Sequence, residues 1–260
     1  MHALRLISIL AAAVSAAMAQ ITTGTITGLL TDPSGAAIPG ASVELTNTGT
    51  LAVRTTLTSD AGEYLFSFLA PGTYSVKSEM KGFRTVLRKE IVVQVNVATR
   101  VDTQMEPSAV EQVIEVAGTP PPLQTETGEV GGVVDRTTVL NLPLNGRNFI
   151  QLVALQPGGV STGKLPGGGL NFFTLIFGGS FSVHGAPVEA TNYLLDGIDM
   201  KDAVDTRVGF QLTVDAIQEF KFQAANYSAA FGRGSGGHIN VASRSGTNDL
   251  HGVVWEFLRN

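Results

Sequence analysis

Gly28-Leu29-Leu30-Thr31-Asp32-Pro33-Ser34-Gly35-Ala36-Ala37-Ile38-Pro39-Gly40-Ala41-Ser42-Val43 is the stretch whose reading decides the N-terminal fold. Thr25 to Leu30 reads as a strand. Asp32-Pro33-Ser34-Gly35 then predicts a tight turn, because Pro presets φ and Gly accepts φ > 0. Val43 and Leu45 alternate with Ser42, Glu44 and Thr46, the period of a half-buried strand. The same grammar repeats downstream. Ser59-Asp60-Ala61-Gly62 turns the chain into Tyr64-Leu65-Phe66, and Pro71-Gly72 turns it into Tyr74-Ser75-Val76. Ile91, Val93, Val95 and Val97 fall on one face of a further strand. About seven short strands at this spacing predict a sandwich of two antiparallel sheets. Tyr64, Phe66, Phe68, Tyr74 and Phe83 are the expected core aromatics, in preference to a sugar-stacking platform.

The order Gly28 to Val43, Asp60-Ala61-Gly62-Glu63-Tyr64, Leu69-Ala70-Pro71-Gly72-Thr73-Tyr74 and Gly82-Phe83 resembles the carboxypeptidase regulatory-like domain. That resemblance implies a transthyretin-like, carbohydrate-binding-like β-sandwich over 20–106, without catalytic residues. The repeated Gly and Pro positions are turn positions, so they specify fold and not chemistry.

Composition shifts after Glu106. Thr119-Pro120-Pro121-Pro122 is stiff and cannot donate to a ladder. Just before it, Glu111-Gln112-Val113-Ile114-Glu115-Val116 is a short β-prone run. Such a run either pairs with another protein's sheet edge or serves as the sandwich's last strand or a spacer. Residues 107–126 are read as a linker that carries it.

The rest of the chain holds landmarks in a distinctive order. Leu140-Asn141-Leu142-Pro143-Leu144-Asn145-Gly146-Arg147-Asn148-Phe149 leads to a short helix expected over 151–158, ending at Pro157-Gly158. Asp196-Gly197-Ile198-Asp199, then Ile217-Gln218-Glu219-Phe220, then the Gly-rich run to Ser245-Gly246-Thr247-Asn248 follow. This order resembles the plug of TonB-dependent outer-membrane receptors of the Oar-like kind, in which a regulatory-like sandwich precedes the plug. The resemblance implies a small mixed α/β plug domain over 127–246, and the first, incomplete barrel strand over 247–260. It implies that Glu111 to Val116 is the docking strand gripped by a TonB-type energising protein. Ligand would meet the outward loops, between Gly163 and Gly185.

Far too few residues follow Gly246 to close a barrel of about 22 strands, each needing about 9–11 residues. The expected architecture is therefore mainly β: sandwich, plug and the start of a truncated β-barrel whose remainder is missing. The expected partners are the energising protein, that missing barrel, the outer membrane and a carbohydrate or peptide ligand. A secreted carbohydrate- or protein-binding sandwich without a transport role is the rival reading. The alternation of Gly252 to Phe257 argues against it, since it suits an interfacial strand.

Charge and chemistry narrow the classes. Lys and Arg total 17 against 22 Asp and Glu, a net charge of −5, which disfavours a nucleic-acid partner. Cysteine is absent, which excludes disulfides, thiol catalysis and cysteine metal sites. Arg5, the apolar run from Leu6 to Val14 and Ala17-Met18-Ala19 form a secretory signal over 1–19, with cleavage expected between Ala19 and Gln20. Gly232, Gly234 and Gly237 satisfy the dinucleotide spacing, but β-prone Ile239-Asn240-Val241 follows where a helix is needed to hold phosphate. Asp196, Asp199, Asp202 and Asp205 lack EF-hand order and read as a solvated turn. His184, His238 and His251 are too scattered for a metal motif. Ser180 and Ser235 do not fit a nucleophile elbow. No cofactor, metal or catalytic residue is assigned, and the chain is read as non-enzymatic.

Overall fold

A computed structural model describes residues 23–108, 113–116, 128–142, 144, 147–162, 181–201, 208, 212–228 and 234–254. The chain divides into two compact units. One holds Thr23–Glu126 with Ser245–Asn260, the other Thr127–Arg244.

The first unit is a β-sandwich. Its strands are β1 (Gly24–Thr31), β2 (Ser42–Asn47), β3 (Val53–Leu57), β4 (Glu63–Leu69), β5 (Gly72–Glu79), β6 (Thr85–Val93), β7 (Ala98–Arg100), β8 (Thr103–Gln104) and β9 (Val113–Val116). One sheet runs β4-β1-β7, with β8 also on β1. The other runs β3-β2-β5-β6-β9. Ile26, Leu30, Val43, Leu45, Tyr64, Phe66, Val76, Ile91 and Val93 meet between them. The period-2 pattern thus buries alternate residues as the sequence requires.

Two glycine-bearing positions show why the opening motif is specific. Asp32 Oδ1 accepts from the Ser34 N–H, the Ser34 hydroxyl and the Ala36 N–H, at 2.9, 2.6 and 2.9 Å. These bonds hold the carboxyl below its ordinary range, the Ser34 hydroxyl most of all. They shape a turn that ends at Gly35, with φ of 86°. Gly28 has a different task. A Cβ there would lie 2.6 Å from the Tyr64 hydroxyl and would strike the Val101 carbonyl. Its absence lets Tyr64 cross the strand and donate to the Val101 carbonyl at 2.7 Å.

Three expectations need correction. The sheets are mixed: β7 and β8 run parallel to β1, and β9 runs parallel to β6. After Val93 the chain crosses between the sheets, with Asn96 in the left-handed region at φ 52°. It then meets β1 from the direction that makes the pair parallel. Phe68 is not core. It is 70% exposed, because its left-handed backbone, φ 57°, coincides with a register shift between β1 and β4 and breaks the alternation. Phe83 is only partly buried against the core.

The second unit contains β10 (Val130–Asp135), helix α1 (Arg136–Asn141), β11 (Gly159–Ser161), β12 (Phe181–Val183), β13 (Asn192–Leu195), β14 (Ile198–Asp199), β15 (Ile217–Ala225) and β16 (His238–Ser243). Asp135 caps α1, its Oδ1 accepting the Thr138 N–H at 2.7 Å. The expected helix over 151–158 is a 3₁₀ helix, Phe149–Leu155, started by Asn148 and followed by a turn at Gly158. The main sheet has the order β10-β15-β16-β13-β14, with β13 parallel to β16; β11 and β12 form a separate pair. Phe149, Ile150, Leu152 and Val153 pack on Phe220, Phe222, Ile239 and Val241 from one face of that sheet.

Over 247–254, where the first barrel strand was expected to begin, no strand forms, and Leu250, Val253 and Val254 are exposed. A strand there has no neighbour among the described residues to complete its ladder. Instead the Asn248 amides donate to the carbonyls of Gly49 and Thr50, at 3.1 and 2.9 Å.

Candidate functional site

The docking run read from the sequence is only partly within view. Glu111 and Gln112 lie outside the described residues. Val113–Val116 forms β9, in parallel register with β6: Thr85 opposite Val113, Val86 opposite Ile114, Leu87 opposite Glu115 and Arg88 opposite Val116. Among the described residues β9 ends the sheet, so it occupies an edge. Of the alternatives the sequence left open for this run in the linker, Val113–Val116 takes the place of the sandwich's last strand. Ala19 and Gln20 lie outside the described residues, as do 163–180 of the expected ligand loops.

Two of the candidate acidic positions, Asp196 and Asp199, accept backbone hydrogen bonds. Asp196, with φ of 46°, accepts the Ser243 N–H at 2.9 Å and so closes the β13–β14 turn onto β16. Asp199 accepts the Lys201 N–H at 2.9 Å; Asp202 and Asp205 are outside the described residues. The His184 N–H donates to the Gly158 carbonyl at 3.0 Å. His251 is exposed and His238 fully buried. Among the described residues no three His, Asp or Glu side chains gather closely enough to hold a metal. Gly234 and Gly237 lead into β16, a strand, where dinucleotide binding needs a helix N-terminus.

Sequence reasoning missed the most unusual feature of the second unit. Glu219, Lys221 and Gln223 of β15, His238 and Asn240 of β16 and Asn192 of β13 are each at most 5% exposed. The Lys221 ammonium donates to Glu129 at 2.6 Å, and both side chains are nearly closed from solvent. This ion pair ties the residue just before β10 to the middle of the sheet. The Tyr227 ring lies 4.2 Å from the His238 ring, and its hydroxyl donates toward the Gly234 and Gly236 carbonyls. Burial, with Lys201 contributing, lowers the His238 pKa from 6.5 to about 4. The available signal was the alternation Glu219-Phe220-Lys221-Phe222-Gln223, which reads as one apolar and one solvent face. Only tertiary structure reveals that both are covered.

Residues 25–106 match the carboxypeptidase regulatory-like domain. The similarity does not stop at that domain. Over 251 residues, 93% of this chain, the sequence is 28% identical to the TonB-dependent transporter Oar of Myxococcus xanthus. The chain spans 22% of that protein's length. Solved structures overlap more loosely. The TIE protein of Bacillus anthracis covers 33% of this chain and 17% of its own, at 22% identity and a TM-score of 0.30. A candidate carbohydrate-binding protein of Bacteroides uniformis covers 32% and 41%, at 22% identity and 0.28. A catechol 1,2-dioxygenase of Acinetobacter radioresistens covers 38% and 58%, at 13% identity and 0.26. Overlaps of this size carry no functional argument. Among the described residues no helix is long and apolar enough to cross a membrane, which says nothing of strands.

Proposed function

We propose that this chain is the N-terminal part of an outer-membrane, TonB-dependent transporter. In this reading 1–19 direct export, the sandwich stands on the periplasmic side, 127–246 plug the pore, and 247–260 begin the barrel. The observation that carries it is the continuity of the similarity to a TonB-dependent transporter across both units, through 93% of the chain. The part played is non-enzymatic. The plug blocks the lumen, and a carbohydrate or peptide ligand meets its outward loops. Force applied at Glu111, Gln112, Val113, Ile114, Glu115 and Val116 by a TonB-type energising protein shifts the plug.

Docking by strand addition draws its affinity from main-chain hydrogen bonds. The test is titration of the mature chain with the periplasmic domain of the organism's own TonB-type protein. Saturable binding is expected for wild type and for Ile114→Val, with at least a tenfold loss for Ile114→Pro, which removes an N–H and the extended pairing. Equal binding by wild type and Ile114→Pro contradicts the docking assignment. No binding at all contradicts the transporter reading. Intact mass of the exported form should place Gln20 at the N-terminus; a retained Met1 counts against the signal peptide.

A further inference from the structure

The main sheet of the second unit has two faces of opposite character, and both are buried. Adjacent strand residues point to opposite sides. Phe220, Phe222 and Ala224 of β15, with Ile239 and Val241 of β16 and Tyr193 of β13, belong to the apolar core. On the other side the register builds two polar rows. Gln223 and Asn192 flank His238 in the first, and Lys221 flanks Asn240 in the second, with Leu194 beyond it. Glu219 opposite Ala242 continues the face. Leu194 and Ala242 are buried, yet they are not part of the core cluster.

This face is costly if dry. Both side-chain polar atoms of Gln223 and of Asn240, and Oδ1 of Asn192, have no hydrogen-bond partner among the described residues. Each such group is destabilising when it is buried and unpaired, because it has given up its bonds to water without replacement. A sheet face meant only for permanent burial would carry residues like those of the opposite side. Internal water typically satisfies such clusters, making about 3 hydrogen bonds per molecule to buried polar groups.

We propose that this polar face is a hydrated parting plane, with internal waters bridging Gln223, Asn240 and Asn192. Along it the sheet separates from its covering while the apolar face stays sealed. The asymmetry follows from solvation. Wetting the Phe220–Phe222 side exposes apolar surface, which is unfavourable in proportion to its area. Wetting the other side completes hydrogen bonds that the protein leaves open. If residues 127–246 are a plug, which is the reading this use rests on, the parting plane gives water and small polar solutes a way past a core that never melts.

The absence of cysteine from the chain makes a clean test. Single variants Asn240→Cys and Ala242→Cys report on the polar face. Ala224→Cys and Val241→Cys report on the apolar one. Each mature variant is labelled with iodoacetamide across a urea series below the unfolding midpoint. Polar-face thiols should react at least tenfold faster than apolar-face thiols, with a shallower urea dependence. Equal rates with the same urea dependence on both faces overturn the proposal. Ala242→Cys, nearly isosteric, keeps the comparison valid if Asn240→Cys does not fold. Water–amide cross-relaxation at the Gln223 and Asn240 carboxamides should be present; its absence removes the hydration claim. Labelling depends on no partner protein, so failure here and failure of the TonB titration are distinguishable.

Discussion

The two units of this chain bury polar groups in different ways. In the sandwich, buried polar side chains are short hydroxyls: Thr58, Ser78, Thr99 and Thr103. All but Ser78 are tied to nearby groups. Thr58 donates to the Ile38 carbonyl at 2.7 Å and accepts the Ala41 N–H at 2.9 Å. Thr99 donates to the Val92 carbonyl, and Thr103 accepts from Arg88. In the second unit the buried polar groups include long amides, an imidazole and an ion pair: Asn192, Glu219, Lys221, Gln223, His238 and Asn240. The first pattern suits a module that folds once and stays closed. The second suits one whose sheet is stable on one side and separable on the other.

The sharpest way to break this contrast is at the Glu129–Lys221 pair. Glu129→Ala leaves the ammonium buried without that carboxylate and should cost about 3–5 kcal/mol of stability. Pairing Glu129→Leu with Lys221→Met should recover most of the loss, because removing both charges also removes their desolvation cost. Denaturant unfolding of the single and double variants checks this. A double variant as damaged as the single one would mean that the pair does not act as a unit.

In the sandwich, Gly28→Ala should destabilise by about 1–3 kcal/mol, the ordinary range for overpacking. The added methyl contests space held by the Tyr64 hydroxyl and the Val101 carbonyl. Tyr64→Phe should cost about 1–2 kcal/mol by leaving the buried Val101 carbonyl without its partner. The measurement for both is the urea midpoint of the sandwich transition. An unchanged midpoint for Gly28→Ala would refute the close approach.

His238 ties the contrast to pH. Its folded pKa of about 4 lies below the ordinary 6.5, so between these values the unfolded chain binds a proton that the folded chain refuses. The stability that neutral His238 contributes is present above pH 6.5 and is lost as pH falls toward 4. Thermal melts of the second unit across that window should show a falling midpoint, flattened in His238→Gln. A profile identical in the two proteins would show that the imidazole does not titrate as its burial demands. At the small end, Phe68→Ser should change stability by no more than about 0.5 kcal/mol, since the ring is exposed.

The sandwich was legible because its signals are local. Turn residues such as Asp32, Gly35 and Gly62 fix the strand ends, and strict alternation along β1, β2 and β5 fixes the buried face. Phe68 escaped that reading because a left-handed residue shifts the phase without any Gly or Pro to announce it. The parallel placement of β7, β8 and β9 escaped because strands of 3, 2 and 4 residues carry almost no periodic signal. The polar face of β15 and β16 was illegible for a further reason. Alternation states which side of a strand is polar, but long-range packing decides whether that side meets water.

The most direct test of the whole account is amide hydrogen–deuterium exchange of the mature chain, with and without the periplasmic domain of the TonB-type protein. Binding should add protection at 111–116 and leave β1, β2 and β5 unchanged at slow exchange. Protection confined to other segments would contradict a docking strand at Glu111–Val116, and no protection anywhere at saturating partner would contradict the transporter role as well.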